Sequence, residues 1–396
     1  MESSRVQARI SSRASKAFAA LGFAYWAVQL LSVLKLRQLP SVADMPLDDD
    51  SADWPTVSVI MTVRDEEAEF EQALRSRLDD DYPALELIVV DDRSSDRTGE
   101  IADELAAQDS RLKVVHNEYL PEGWLGKVYA MSRGLAVAGG EWVLFSDADV
   151  RVKPGTLKRV MGYTARNGLD HLAVYPDMDL TSPVLDNVVT ASSRMGLAMA
   201  FVWKASDPGS KAAVGVGGFN LVRRAALDRT AGLEWLKLEV ADDLTLGQML
   251  KDSGARQQLA SGKGCLSVNF YPSMKDAFRG SERGLFTAIG NFSLARCVAI
   301  GLGLAAMETA TFVLLLRRKS RGLGLLLTGV ELASSLAFND WLDRPAWHAL
   351  FAPLGTSVMG AMIVRAGVLG KLRGGIYWRG TFYPTELLKP GRRFRP

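Results

Sequence analysis

The sequence predicts an α/β domain built on a mostly parallel sheet, with membrane helices before and after it. Three observations lead there. Strand and helix patterns alternate from residue 56 to residue 145, acids gather where the strand patterns end, and long stretches toward both ends of the chain are nearly free of charge.

Composition permits this organisation and argues against others. The 396 residues suffice for one large domain with additions, or for two domains. Lys plus Arg number 47 against 45 Asp plus Glu, and a net charge of +2 gives no reason to expect nucleic acid as a partner. Cys265 and Cys297 are the only cysteines and lack metal-ligand spacing. Neither a disulfide framework nor a zinc site is indicated, and a reducing compartment fits.

Residues 1–16 carry Arg5, Arg9, Arg13 and Lys16 against one acid, a basic arm suited to an anionic lipid surface. Residues 17–34 hold no charge, and 297–316 hold only Glu308; both approach the ~20 apolar residues that a bilayer span needs. The first is read as a retained anchor over 17–38, because Lys35-Leu36-Arg37 follows it instead of a cleavage site. Residues 322–338, with Glu331, and 346–364, with His348 and Pro353, are shorter or more broken. Spans, re-entrant hairpins, interfacial helices and buried core helices all remain open for them. Basic residues before the first segment and at 317–321 both claim the cytoplasmic side, so at least one segment is expected to lie in the membrane plane or to be re-entrant.

Residues 39–54 are rich in Asp and Pro and read as an exposed linker. The catalytic domain is then expected over 55–272. Its first strand is predicted over 57–61, a helix over 65–78, a strand over 85–90, a helix over 96–108, a strand over 112–115, a helix over 127–138 and a strand over 142–145. Further on, 184–203 reads as a long helix and 244–253 as another, and Gly215-Val216-Gly217-Gly218 is either a pocket wall or a plain turn. Residues 273–293 mix basic and apolar residues as an interfacial amphipathic helix would, 294–366 hold the C-terminal membrane or re-entrant helices, and 367–396 form a tail.

The strand ends carry the chemistry. The first delivers Arg64-Asp65-Glu66, the second Asp91-Asp92-Arg93-Ser94-Ser95-Asp96-Arg97-Thr98, and the fourth Asp147-Ala148-Asp149. Ligands of open α/β sheets bind at the carboxyl ends of strands, and paired acids there are placed to hold a divalent cation carrying phosphate. Asp96 and Thr98 have a second explanation as caps of the following helix.

These segments, with Ala241-Asp242-Asp243-Leu244-Thr245-Leu246-Gly247, together resemble the inverting, membrane-associated glycosyltransferases of family 2, which have the GT-A nucleotide-diphospho-sugar transferase fold, a Rossmann-like sheet. Pro121-Glu122-Gly123-Trp124-Leu125-Gly126-Lys127 and Tyr377-Trp378-Arg379-Gly380-Thr381-Phe382-Tyr383 resemble a narrower branch that includes ceramide glucosyltransferase-like, hopanoid-associated and carotenoid glycosyltransferases. The resemblance implies that Arg64, Glu66, Asp91, Asp92, Lys127 and Asp147 handle a nucleotide-sugar donor. It implies that Asp149 binds Mg²⁺ or Mn²⁺, and that Asp243 is the base, with Asp242 as the other candidate. Lys127 is either a contact to the phosphates or base edge, or a surface lysine. Two departures stand out: Thr62 and Asp65 replace the Pro and Asn usual after the first strand, and the family's Gln/Arg-x-x-Arg-Trp motif is absent near Arg279-Gly280-Ser281-Glu282-Arg283. Arg283, or Trp378 with Arg379, is then the candidate for the pyrophosphate or acceptor contact, a lipid-headgroup contact being the other role for Arg379.

The expected activity is transfer of a sugar, from a UDP-sugar for preference, to a hydroxyl or carboxyl group on a lipid acceptor, by an enzyme in the inner or another membrane whose domain faces the cytoplasm. A polyprenyl-phosphate glycosyltransferase or a polysaccharide synthase is the enzymatic alternative. A catalytically inactive membrane scaffold or nucleotide-sugar sensor is the alternative of another class.

Overall fold

The computed structural model describes residues 20–47 and 53–394. The basic arm at 1–16 lies outside them. The chain divides into two compact units, one made of Leu39–Asp179, Ala200–Phe270 and Gly374–Pro396, the other of Met1–Gln38, Leu180–Met199 and Tyr271–Arg373.

The first unit holds twelve strands among its described residues: β1 (Val57–Val63), β2 (Leu85–Asp92), β3 (Leu112–Asn117), β4 (Trp142–Asp147), β5 (Val150–Val152), β6 (His171–Tyr175), β7 (Asp177–Met178), β8 (Asn220–Arg223), β9 (Gln257–Ser261), β10 (Leu266–Val268), β11 (Gly375–Trp378) and β12 (Thr381–Pro384). Seven form the main sheet in the order β3-β2-β1-β4-β8-β6-β9. Only β8 runs antiparallel to its neighbours; the other pairings are parallel. The apolar runs of β1, β2 and β4 are almost wholly buried, as strands covered on both faces must be. Chain order reverses between β1 and β4, and that reversal opens a crevice at the strand ends.

Several elements depart from their predicted bounds for physical reasons. The helix expected over 65–78 begins at Phe70. Asp65 has φ 51°, its carboxylate accepts from Ser95 N at 2.7 Å, and Glu66 N and Glu67 N donate to Thr98 Oγ1 and Asp96 Oδ2. Those bonds tie the loop after β1 to the loop after β2, which prevents the first turn from being helical. Asp96 also accepts from Thr98 N at 3.0 Å, so its local capping role is real. The helix expected over 184–203 is Pro183–Met199 and belongs to the other unit; Phe201, at φ 47°, ends any continuation. Within the stretch read as an exposed linker, Val42 and Met45 are buried and Pro40 O accepts from Ser261 N at 2.8 Å, so this part is packed onto the sheet edge.

The second unit is helical. Among the described residues, Leu294–Leu316, Arg321–Trp341 and Ala346–Arg373 are long and apolar enough to cross a membrane, while the first apolar segment is the shorter helix Ala20–Leu36. Glycines bring helices together: a Cβ on Gly301 would lie 2.5 Å from Gly360 O, and one on Gly360 would lie 2.8 Å from Gly301 O. Such backbone contact is how helices pack where apolar burial alone gives no preference. Polar groups turn inward. Asp186 pairs with Arg344 at 3.1 Å and His348 at 3.2 Å, Arg194 donates to Ser335 Oγ at 2.9 Å beneath the Trp26 ring, and Glu308 and Glu331 are buried. The amphipathic helix expected over 273–293 is instead two short pieces, Met274–Gly280 and Glu282–Gly284, followed by a π-turn at Leu285–Ile289. Lys275 and Arg279 stay exposed, while Glu282 turns inward to Arg373 at 2.7 Å and Arg365 at 3.1 Å.

Candidate active site

Parallel register brings the acids to one level. Thr62 of β1 pairs with Asp147 of β4, and Val63 pairs with Asp91 of β2. Three adjacent strands therefore release their polar residues side by side.

On the β2 side, Asp91 accepts from Ser94 N at 3.1 Å and faces His116 Nδ1 at 3.1 Å. His116 Nε2 lies 3.1 Å from Asp103. Burial opposes a proton on His116, but these two carboxylates outweigh it and raise its pKa. Arg93 holds Asp92 through two bonds of 3.0 Å, and Arg64 stands 3.9 Å from the same carboxylate. Gly126 opens the helix Gly126–Val137 directly above: a Cβ there would lie 2.4 Å from Asp92 Oδ2, so only glycine permits this approach. The hairpin of β11 and β12 joins the same region. Arg379 pairs with Glu66, Thr381 Oγ1 accepts from Arg64 at 3.4 Å, and Tyr383 OH accepts from Gly126 N at 3.2 Å.

On the β4 side, Lys127 Nζ bridges Asp147 Oδ1 at 2.9 Å and Asp242 Oδ2 at 3.1 Å. Its ammonium is held between two acids and is mostly covered, where a snorkelling surface lysine would reach for solvent. Burial disfavours its charge, yet Asp147, Asp242 and Asp243 together raise its pKa. Asp242 and Asp243 open the helix Asp242–Asp252, earlier than the sequence pattern places it. Asp243 Oδ2 accepts from Gly217 N at 2.9 Å and Oδ1 from Leu244 N at 2.8 Å. The glycine-rich segment is thus a wall of the site. A Cβ on Gly215 would lie 1.8 Å from Asp243 O, and one on Gly247 would lie 1.7 Å from Val214 O, so loop and helix touch backbone to backbone. Beneath them buried Arg77 donates to Ser146 Oγ at 2.5 Å, and Ser146 Oγ donates to Gly218 O at 2.8 Å, which fixes the wall to β4. Lys127, Gly217, Asn220, Asp242 and Asp243 line one small cleft.

Asp149 behaves differently from Asp147. Its Oδ1 is buried without a hydrogen-bond partner, and burial, then the Asp147 carboxylate, push its pKa up to about 7. A buried carboxylate oxygen left unpaired is costly and calls for a partner. A divalent cation fits that need. Among the described residues no cluster of three or more His, Cys, Asp or Glu could hold a metal ion.

Of the residues singled out in the sequence, Arg64, Glu66, Asp91, Asp92, Lys127, Asp147, Asp149, Asp242, Asp243, Trp378 and Arg379 lie in the catalytic unit. Arg283 lies in the helical unit, beside Tyr271. His116, Arg77, Arg93 and Tyr383 were not legible as site residues. Arg93, inside the polar segment after β2, and Tyr383, inside the aromatic C-terminal motif, carried the only signal.

A family profile described as Glycosyl transferase family 2 matches residues 58–230. The chain is 27% identical over 239 residues to a beta-monoglucosyldiacylglycerol synthase of Trichormus variabilis, covering 59% of this chain and 46% of the relative. It is 34% identical over 118 residues to a GalNAc(5)-diNAcBac-PP-undecaprenol beta-1,3-glucosyltransferase of Campylobacter jejuni, covering 30% of this chain and 37% of the relative. The chain thus spans less than half the length of either. Among solved structures, the mannosyltransferase PcManGT of Pyrobaculum calidifontis, in complex with GDP-Man and Mn²⁺, superposes with a TM-score of 0.52 at 19% identity, over 90% of this chain and 99% of that one. The strand ends, the acid pairs and the profile agree: residues 58–230 match a glycosyl transferase family 2 domain, and the fold around them is of the GT-A kind.

Proposed function

We propose that this protein transfers a sugar from a nucleotide-diphosphate sugar to a hydroxyl on a lipid acceptor, with inversion at the anomeric carbon, on the cytoplasmic face of a membrane. The observation that carries the reading is the gathering around Lys127 of Asp147 and Asp149, at and just beyond the end of β4, with Asp242 and Asp243, which open the helix Asp242–Asp252.

Asp91 and Asp92 accept hydrogen bonds from the base and ribose, and Lys127 places positive charge beside the phosphates. Mg²⁺ or Mn²⁺ held by Asp149 supplies Lewis-acid stabilisation of the nucleoside diphosphate as it leaves. Asp147, tied to Lys127 and partly open to solvent, positions the donor sugar. Asp243 takes the acceptor proton. Each of its oxygens accepts one backbone N–H and keeps a lone pair, and burial raises its pKa toward the operating range of a base. Burial raises Asp242 as well, to about 6 against the pull of Lys127, but its Oδ2 is taken up by Lys127 Nζ at 3.1 Å, which leaves it less open to an acceptor hydroxyl. The lipid acceptor is supported by three helices of membrane-spanning length and by relatives named for diacylglycerol and undecaprenol-linked substrates. An undecaprenol-linked acceptor is the competing class, since the Campylobacter relative is named for one.

Purified protein incubated with nucleotide sugars, Mn²⁺ and extracted lipid should release nucleoside diphosphate and yield a glycosylated lipid whose mass identifies both sugar and acceptor. No release from any nucleotide sugar, with Asp149→Asn indistinguishable from wild type, would end this reading.

A further inference from the structure

Beyond the helix that ends at Arg373, the chain re-enters the catalytic unit as a hairpin whose two-residue turn is Arg379-Gly380. Both turn residues have positive φ, 46° and 75°. A type I′ turn demands this and prefers Asn or Gly at its first position. An arginine there holds an uncommon backbone conformation, of the kind that persists where a side chain has work to do.

The Arg379 side chain lies among the loops after β1. It pairs with Glu66, sits near Asp65, and stands close enough to Arg64 for the two guanidinium groups to repel. Arg64 is loosely held. Its Nε is buried without a hydrogen-bond partner, and its carboxylate neighbours Asp65 and Asp92 stand at 3.7 and 3.9 Å. Two neighbouring guanidinium groups, one underused and one engaged by an exchangeable carboxylate, suit the oxygens of a diphosphate. The hairpin is anchored beside Lys127 as well, because Tyr383 OH accepts from Gly126 N.

Building on the glycosyltransfer reading, we infer that Arg379, presented by the C-terminal hairpin, is a diphosphate ligand of the donor, with Glu66 occupying its guanidinium until the nucleotide arrives. Arg379 and Arg64 together grip the phosphates, and the hairpin covers the ends of β1 and β2. The segment 375–384 is therefore part of the donor site.

The test is calorimetric titration of the full-length protein in detergent with Mn²⁺ and, in separate runs, UDP, GDP, uridine, guanosine and inorganic pyrophosphate. Arg379→Asn suits the purpose, since Asn-Gly is a favoured I′ pair and the hairpin is kept while the charge is lost. Arg379→Asn should weaken the preferred nucleoside diphosphate about tenfold to a hundredfold and leave its nucleoside unchanged, with Arg379→Lys intermediate. Glu66→Gln should bind the diphosphate at least as tightly as wild type. Equal loss for nucleoside and diphosphate would mark Arg379 as structural and overturn the inference. So would unchanged diphosphate affinity, including the case where Arg379→Asn loses only binding to phosphatidylglycerol vesicles. If the wild type binds neither nucleoside nor diphosphate, the glycosyltransfer reading falls first and takes the inference with it.

Discussion

Gly217 donates its backbone N–H to Asp243 Oδ2 at 2.9 Å, and the space where its Cβ would stand is closed by Asp147 Oδ2 at 2.7 Å. One residue thus sets the distance between the acid assigned to the acceptor and the acid assigned to the donor. Gly217→Ala should push the Asp147 carboxylate aside at little cost to folding, because a partly exposed side-chain end moves easily. We expect about a tenfold or greater fall in kcat, read by initial rates of nucleoside diphosphate release, with an unchanged melting temperature.

Gly215→Ala should behave in the opposite way. Its Cβ would strike backbone, Asp243 O at 1.8 Å, and the helix start cannot retreat without breaking the wall. Loss of folded protein, seen as aggregation on size-exclusion chromatography, is the expected outcome; a well-folded variant would contradict the contact.

The two acids at the helix start should separate kinetically. Asp243→Asn is expected to lower kcat by about 10²- to 10⁴-fold while donor binding, measured by calorimetry, is retained. Asp242→Asn leaves Lys127 with one fewer partner and should chiefly raise the donor KM. The reverse pattern would move the base to Asp242.

If Asp149 holds the cation as proposed, proton and metal should compete for it. Its pKa is raised to about 7 by burial and by Asp147, so below that pH the folded protein holds a proton that the cation must displace. Mn²⁺ affinity should therefore rise with pH and level off above 7, being about tenfold weaker at pH 6 than on the plateau. The same shift has a stability consequence for the metal-free protein. The native state binds this proton more tightly than the unfolded chain, so its contribution is full below pH 4 and lost as pH rises through 7. Mn²⁺ electron paramagnetic resonance across pH 5.5–8, with Asp149→Asn as the control, reads the first effect directly.

In the helical unit, Asp186→Asn would leave Arg344 buried beside a neutral amide. Breaking one side of such a pair costs about 3–5 kcal/mol, so thermal unfolding in detergent should occur at markedly lower temperature.

The central strands are legible in the sequence because a strand buried on both faces must be written as an unbroken apolar run, and β1, β2 and β4 are. Their ends are less so. β2 continues through Asp91 and Asp92 because ladder pairing to His116 and Asn117 outlasts the apolar pattern. The start at Phe70 is hidden for a similar reason, since bonds to residues about 30 positions away decide it. Acids could be found by their place after strands, and Asp149 with them. What separates Asp149 from Asp147 is burial and the reach of Lys127, which depend on how β4 and the helix at Gly126 meet. Arg77, Gly217 and Tyr383 act through partners 69, 26 and 257 positions distant, and no local pattern records such contacts.

The discontinuity of the catalytic unit bears on biosynthesis. All seven strands of the main sheet are complete by Ser261, before the three long helices have been translated, so the sheet has the chance to close early on the ribosome. The bonds from Thr381 and Tyr383 to Arg64 and Gly126 must wait for those helices. A nascent chain arrested within them would hold the sheet and its acids but lack the hairpin, so competence for the donor would be acquired last.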